Sequence, residues 1–149
     1  MKISKKEEGQ GLVEYALVLV LVAVAIILIL TLLGSTVVVT YARVMGGLSG
    51  QSLTMSGDEY IILEADIQAS GSGDTCNITG GSAKVVVLND GALQTEGSAN
   101  LPYSVNGTSG SVSVTIDGSG ISEINFPSVS TGCPIVLTNP HGYRQVINP

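Results

Sequence analysis

The pattern of apolar and polar positions changes once along this chain, near residue 50. Before that point, Ala16 to Ala42 form a run of 27 residues without a charged side chain. A helix needs about 20 apolar residues to cross roughly 30 Å of hydrocarbon. The apolar stretch from Leu12 to Tyr41 corresponds to about 45 Å of helix at 1.5 Å per residue. The pattern therefore predicts a membrane-length helix with additional length beyond the bilayer.

The C-terminal part of this run is rich in β-branched residues. Thr36 to Thr40 read Thr-Val-Val-Val-Thr, and a strand starting near Thr36 is one interpretation. Such residues lower helix propensity only slightly, and inside a membrane the backbone must satisfy its own hydrogen bonds. We therefore expect one helix over residues 10–47 that continues through Gly34 to about Met45. Glycine readily ends helices, so Gly46-Gly47 is the expected stop.

After Gly50 the chain contains short β-prone runs between turn signals. Turns are indicated by Asn89-Asp90-Gly91, Asn106-Gly107 and Asp117-Gly118. Strands are predicted at Glu59–Gln68, Ala83–Asn89, Ser111–Asp117, Ile121–Phe126, Ile135–Thr138 and Tyr143–Ile147, with less regular patterns at Ala92–Thr95 and Leu101–Val105. Short strands with frequent turns predict an antiparallel β-sandwich, broadly immunoglobulin-like. The predicted fold class is α+β, with a linker over residues 48–58 and the β-domain over 59–149.

Two cysteines, Cys76 and Cys133, lie in this second half. No Cys-x-x-Cys or histidine pairing accompanies them, so a disulfide is favoured over a metal site. A pair of buried free thiols is the alternative. A bridge would close a loop of about 58 residues and stabilise the domain by roughly 4 kcal/mol in the chain-entropy model.

Charge and motifs exclude several classes of function. The net charge is −6, with six Lys and Arg against twelve Asp and Glu, and such an acidic chain is poorly suited to binding nucleic acid. No phosphate-binding loop, serine-nucleophile elbow or zinc pattern is present. His141 stands in a turn-like Asn-Pro-His-Gly segment, and turn chemistry explains the Asp-Gly pairs better than a calcium site. We predict neither an enzyme nor a bound cofactor or metal.

Glu14 is the residue that an ordinary membrane anchor does not explain. A carboxylate near hydrocarbon is costly unless it is paired or interfacial. If the chain is cut after Gly9, Gln10 becomes an N-terminus whose ammonium has a pKa of about 7.7–8.0. Residues 10 and 14 share one helix face, one turn apart. Glu14 could neutralise this ammonium or that of a neighbouring subunit. The alternative is an interfacial residue at the end of a plain signal anchor.

These residues resemble a known family. Lys5-Lys6-Glu7-Glu8-Gly9, followed by Gln10-Gly11-Leu12-Val13-Glu14-Tyr15 and the long aliphatic run, resembles the Flp-type (type IVb, tight-adherence) pilins over about residues 5–48. In that family a prepilin peptidase cleaves after the glycine matching Gly9, and the glutamate and tyrosine matching Glu14 and Tyr15 are expected in assembly. Typical members are little more than the helix, whereas this chain continues for about 100 residues.

The resemblance implies a structural subunit of a pilus. Residues 1–9 would be the leader, and Lys2, Lys5 and Lys6 place it in the cytoplasm by the positive-inside rule. Removing it changes the side-chain net charge from −6 to −7, because it carries three Lys and two Glu. The precursor would sit in the cytoplasmic membrane, and secretion machinery would polymerise it into an extracellular homopolymer for surface attachment. The alternatives are a minor or tip adhesin that binds a surface ligand, and a membrane-anchored binding domain that never polymerises.

Overall fold

The computed structural model describes the backbone of residues 8–54 and 56–149, with side chains from residue 11 onward. One long helix precedes nine antiparallel strands within this part of the chain, so the predicted α+β class is confirmed. The elements are α1 (Glu8–Leu48), β1 (Asp58–Ser72), β2 (Thr75–Asn89), β3 (Ala92–Leu93), β4 (Gly97–Val105), β5 (Thr108–Ile116), β6 (Ser122–Asn125), β7 (Val129–Gly132), β8 (Ile135–Thr138) and β9 (Arg144–Ile147). Two compact units divide between Thr36 and Val37, within α1.

Helix α1 runs without interruption through Gly34 and the β-branched segment. The interpretation of a strand near Thr36 is therefore wrong. The helix ends at Leu48, three residues beyond the expected Met45. The residue that ends it is Gly50, which adopts a positive φ of 77° and donates from its N–H to the Gly47 carbonyl at 3.3 Å. Gln51 N–H donates to the Gly46 carbonyl at 2.9 Å, which completes a Schellman motif.

The strands form two antiparallel sheets. In the first, β1 pairs along the whole of β2. The other edge of β2 is filled in turn by three short strands, β7, β6 and β3. The second sheet has the order β5-β4-β8-β9.

Several strands are longer than predicted: β1 continues to Ser72 rather than Gln68, β2 begins at Thr75 rather than Ala83, β4 at Gly97 rather than Leu101, and β5 at Thr108 rather than Ser111. No strand was predicted at β7. The start of β2 and the whole of β7 are rich in Gly, Ser and Thr, and they become strands because the start of β2 pairs with β1 on one side and with β7 on the other.

The turn signals have two different outcomes. Asp90 and Asn106 both have φ of 48° and are followed by glycines at 77° and 84°, the conformation of two-residue type I′ hairpins. The hairpins β2–β3 and β4–β5 are therefore confirmed. Asp117-Gly118 is a turn without a hairpin, because β5 and β6 belong to different sheets. Asp117 Oδ1 accepts the Ser119 N–H at 2.9 Å.

Side chains from both sheets form one core. Its fully buried members are mostly Val, Ile and Leu. Phe126 packs edge-to-face on Tyr103, with ring centroids 5.5 Å apart. The core residues include Ile62, Val85, Val87, Leu101, Val105, Val114, Ile124, Ile135 and Leu137. Two antiparallel sheets around a common core are therefore established, whereas the narrower immunoglobulin-like arrangement is not confirmed.

A second, smaller cluster lies on the opposite face of β1 and β2. Ile61, Val86 and Leu88 pack there against Ala42, which is fully buried. The unit that begins at Val37 thus includes the last three turns of α1 as a cover for this face. Gly46 permits the close approach, since a Cβ atom there would lie 3.2 Å from Ile61 Cγ2 and 3.3 Å from Leu53 Cδ2.

Candidate functional site

The helix segment from Gly11 to Thr36 carries apolar side chains around its whole circumference, with Glu14 as its one charged residue, and it is exposed throughout. Its large side chains leave between 49% (Val22) and 77% (Leu32) of their surface uncovered. The 18-residue window of highest mean hydropathy, 3.4, has none of its residues buried. A helix that is hydrophobic all round belongs in a membrane or in the core of a larger assembly. By length and composition, Gly11–Leu48 could cross a membrane.

Glu14 and Tyr15 lie near the start of this apolar segment, and both side chains are exposed. Tyr15 leaves 70% of its surface uncovered. Residues 10 and 14 are both helical, so they stand one turn apart on one face, as the sequence predicted. Among residues 11–54 and 56–149, Glu14 has no ion pair. The predicted cleavage point between Gly9 and Gln10 lies in the first turn of α1, whereas the lysines of the leader fall outside the described residues.

The distance along the helix from Glu14 to Thr36 can be compared with the thickness of a bilayer. From Glu14 to Thr36 the chain advances 22 residues, or about 33 Å at 1.5 Å per residue. That length matches the roughly 30 Å thickness of bilayer hydrocarbon. The segment between Glu14 and Val37, where the second unit begins, is therefore about as long as the hydrocarbon region is thick.

The C-terminal turns of α1 are attached to the β-domain by specific polar contacts. Gln51, 5% exposed, uses its side-chain amide as a strand partner for Ile62. It donates to the Ile62 carbonyl at 2.9 Å and accepts the Ile62 N–H at 3.1 Å. Arg43 donates to the Gly91 carbonyl at 3.2 Å. The predicted linker over residues 48–58 thus contains a buried residue that sequence reasoning did not single out.

Glu59 is a second residue that the sequence did not reveal. Its side chain is 1% exposed, and Oε1 accepts the N–H of Thr54. Within the part of the chain that the structure describes, Oε2 is buried and has no hydrogen-bond donor. In the alternating pattern of β1, Glu59 lies on the same face as Ile61. The other residues buried on that face are apolar. Its periodic position predicts burial, but its chemistry predicts exposure.

Cys76 and Cys133 are joined by a disulfide, with Cα atoms 5.2 Å apart, in agreement with the expectation from the sequence. Cys76 lies in β2, 1% exposed, and Cys133 follows β7, which pairs with that part of β2. The bridge therefore links an early strand to a late one. Gly71 faces it from β1, where a Cβ atom would lie 2.9 Å from Cys76 Sγ. The neighbouring strand is thus held close to the bridge.

Several other titratable residues take part in local hydrogen bonds or an ion pair within the β-domain. His141 lies in a turn, as expected, and its N–H donates to Asn139 Oδ1 at 3.0 Å. Hydrogen bonds from Ser119 lower the pKa of Asp117. The hydrogen bond and charge of Glu64, 3.0 Å away, raise the pKa of Lys84. Across residues 11–54 and 56–149, whose side chains the structure describes, no group of three or more His, Cys, Asp or Glu side chains could hold a metal ion.

No protein-family model, curated protein or solved structure matches the chain, so the resemblance to Flp-type pilins rests on the residues of its N-terminal region.

Proposed function

We propose that this chain is a structural subunit of a type IV, Flp/Tad-like pilus. The observation that supports it best is the exposed, predominantly apolar segment of α1 with a single carboxylate, Glu14, near its start. An ordinary anchor needs the apolar segment but has no use for the carboxylate. A helix that leaves the membrane to pack among copies of itself uses both.

In this proposal a prepilin peptidase removes residues 1–9 while α1 is in the cytoplasmic membrane. The secretion machinery then moves the subunit into an extracellular filament whose core is a bundle of these helices. Once the helix has left the membrane, burial of a Leu, Ile or Val side chain in the filament core contributes about 1.5–3 kcal/mol relative to exposure in water. This term keeps the helices together outside the membrane but does not drive their extraction from lipid. Between 49% and 77% of each large side chain from Leu12 to Leu33 is available for such burial.

Glu14 would set the register between subunits. After cleavage, the Gln10 ammonium enters the same apolar surroundings and needs a counter-charge. Glu14 on the same subunit or on an axially shifted neighbour supplies it. Pairing between neighbours also explains why a carboxylate is retained at a position where it is costly in the membrane.

The β-domain would form the outer surface of the filament. The disulfide between Cys76 and Cys133 supports export, because disulfides form and persist in oxidising compartments. The description of this domain as an immunoglobulin-like sandwich remains part of the proposal, supported by the core that the two antiparallel sheets share. Surface attachment is the role that the family resemblance implies.

The test is Glu14→Gln, which removes the charge but keeps the size of the side chain. An ammonium buried without a counter-charge costs several kcal/mol, so the variant should yield processed monomer in the membrane but few sheared filaments. Glu123→Gln, an exposed carboxylate in β6, is the matched control and should assemble normally. Normal filament yield from Glu14→Gln would show that the carboxylate is merely interfacial and would remove the central argument.

A further inference from the structure

A polar cleft of about 620 Å³ lies in the β-domain, lined by residues of both sheets. One wall comes from the start of β1 and the end of β2, and the other from the segment after β3, the start of β4 and the end of β5. The polar lining residues that matter here are Asp58, Tyr60, Asn89, Gln94, Glu96 and Asn100. All belong to the unit that begins at Val37, so the cleft is independent of how α1 is used.

The lining has a distinctive chemistry. It combines two carboxylates and three side-chain amides with hydroxyl groups, and none of its residues is Lys or Arg. One oxygen of Asp58 already accepts from Asn89 Nδ2 at 2.6 Å. Amides can both donate and accept, whereas carboxylates at neutral pH only accept. Such a set suits a ligand with many hydroxyl groups and disfavours an anion.

Tyr60 combines an anchored ring with a hydroxyl that is open to the cleft. Only 7% of the residue is exposed. Its hydroxyl makes no hydrogen bond with any residue for which the structure gives a side chain, and it is not among the buried polar atoms that lack a partner, so it meets solvent in the cleft and is free to bond a ligand. Burial and the nearby charge of Asp58 raise the pKa of Tyr60. The ring itself is held in the core and lies 6.0 Å from the ring of His141.

We propose that this cleft binds a neutral saccharide, with the Tyr60 hydroxyl donating to a sugar oxygen and the amides and carboxylates contacting sugar hydroxyl groups. The volume falls within the roughly 300–1,000 Å³ of small-molecule sites and accommodates one or two sugar rings. Divalent metal is disfavoured, because the described lining contains only two acidic residues. This inference goes beyond a purely structural pilus subunit and does not depend on polymerisation.

The experiment uses the full-length chain in a detergent without a sugar headgroup. Titration calorimetry and saturation-transfer NMR would be run with glucose, galactose, mannose, N-acetylglucosamine and lactose, and with glucuronate, spermidine and calcium chloride as comparators. At least one neutral sugar should bind to a single site. Tyr60→Phe, which removes only the hydroxyl, should weaken that binding about tenfold, the effect of one unmade hydrogen bond. Tyr143→Phe is the matched control, because the Tyr143 hydroxyl bonds to Gln145 at 3.0 Å outside the cleft.

Exposed residues provide a second variant that does not threaten folding. Asn100→Ala, at an exposed position of β4, should also weaken the neutral sugar several-fold while leaving the thermal midpoint unchanged. The proposal is overturned if no neutral sugar binds, if spermidine or calcium binds there instead, or if sugar binding is unchanged in both Tyr60→Phe and Asn100→Ala.

Discussion

The disulfide between Cys76 and Cys133 offers a prediction whose size follows from the chain itself. The two cysteines are 57 residues apart in sequence. In the chain-entropy model, a loop of this length removes about 14 cal/mol/K from the unfolded ensemble, which stabilises the folded domain by about 4.2 kcal/mol at 25 °C. Reduction should therefore lower the free energy of unfolding of the β-domain by roughly that amount.

Packing losses should add little to this effect. Cys76 is 1% exposed and sits among apolar residues of the core, and a free buried cysteine behaves as a small hydrophobic residue. A reduced domain would thus retain its contacts but lose the constraint on its unfolded state. The bridge joins β2 to the residue that follows β7, so it stabilises the first sheet at the edge where β7 pairs with β2.

The measurement is urea unfolding followed by tyrosine fluorescence, since the chain has five Tyr and no Trp. Oxidised protein is compared with protein held in reductant, in the same detergent. The double variant Cys76→Ala/Cys133→Ala serves as the control and should not respond to reductant. A difference below about 1 kcal/mol between oxidised and reduced protein would refute the entropic reasoning, as would two free thiols in the denatured, unreduced protein.

Three further predictions concern other links between sequence and structure. Gly46→Val should destabilise the unit beginning at Val37 by about 1–3 kcal/mol through overpacking, because a Cβ atom there would already lie 3.2 Å from Ile61 Cγ2 and 3.3 Å from Leu53 Cδ2. Gly47→Val, where nothing lies within 4 Å, is the matched control, and equal melting temperatures of the two variants would contradict the close approach. Gly9→Leu should leave unprocessed precursor in the membrane, whereas the mature wild-type chain should begin at Gln10 by intact mass. Hydrogen bonds from Ser119 lower the pKa of Asp117 in the folded state. The ionised carboxylate therefore stabilises the fold at pH values above its unfolded pKa of about 3.9, and this stabilisation is lost as the pH falls through the folded-state pKa. Ser119→Ala should raise the Asp117 pKa in an NMR titration, and an unchanged value would contradict the assignment.

Much of the molecule could be predicted from local sequence patterns. The charge-free run from Ala16 to Ala42 indicated a long helix, since no polar group interrupts it and the backbone satisfies itself. Hairpins at Asp90-Gly91 and Asn106-Gly107 follow from residues that tolerate positive φ. The disulfide was predictable because only one pairing of two cysteines exists. These features depend on residues near one another in sequence or on simple counting.

For the candidate site around Glu14, the sequence predicted which residues matter and where they lie on the helix, but not the partner of the carboxylate. Glu14 is exceptional by its chemistry, and the helix places it one turn from Gln10 as the sequence indicated. Its partner depends on cleavage and on neighbouring subunits, which a single chain does not contain. The cleft around Tyr60 had no signal in the sequence, because its walls come from strands far apart along the chain.

Only the tertiary structure decided the rest, and the reason is long-range pairing. Thr75–Ser82 and Val129–Gly132 lack an apolar pattern of their own, yet each becomes a strand by hydrogen bonding to partners in the first sheet. The end of α1 lies at Leu48 rather than Met45 because Gly50 closes it, while Gly46 fits against Ile61. Glu59 is buried because the strand period places it on the covered face. Local sequence determined which segments can form helix and turns, whereas contacts between distant segments determined where the sheets extend and which polar groups they enclose.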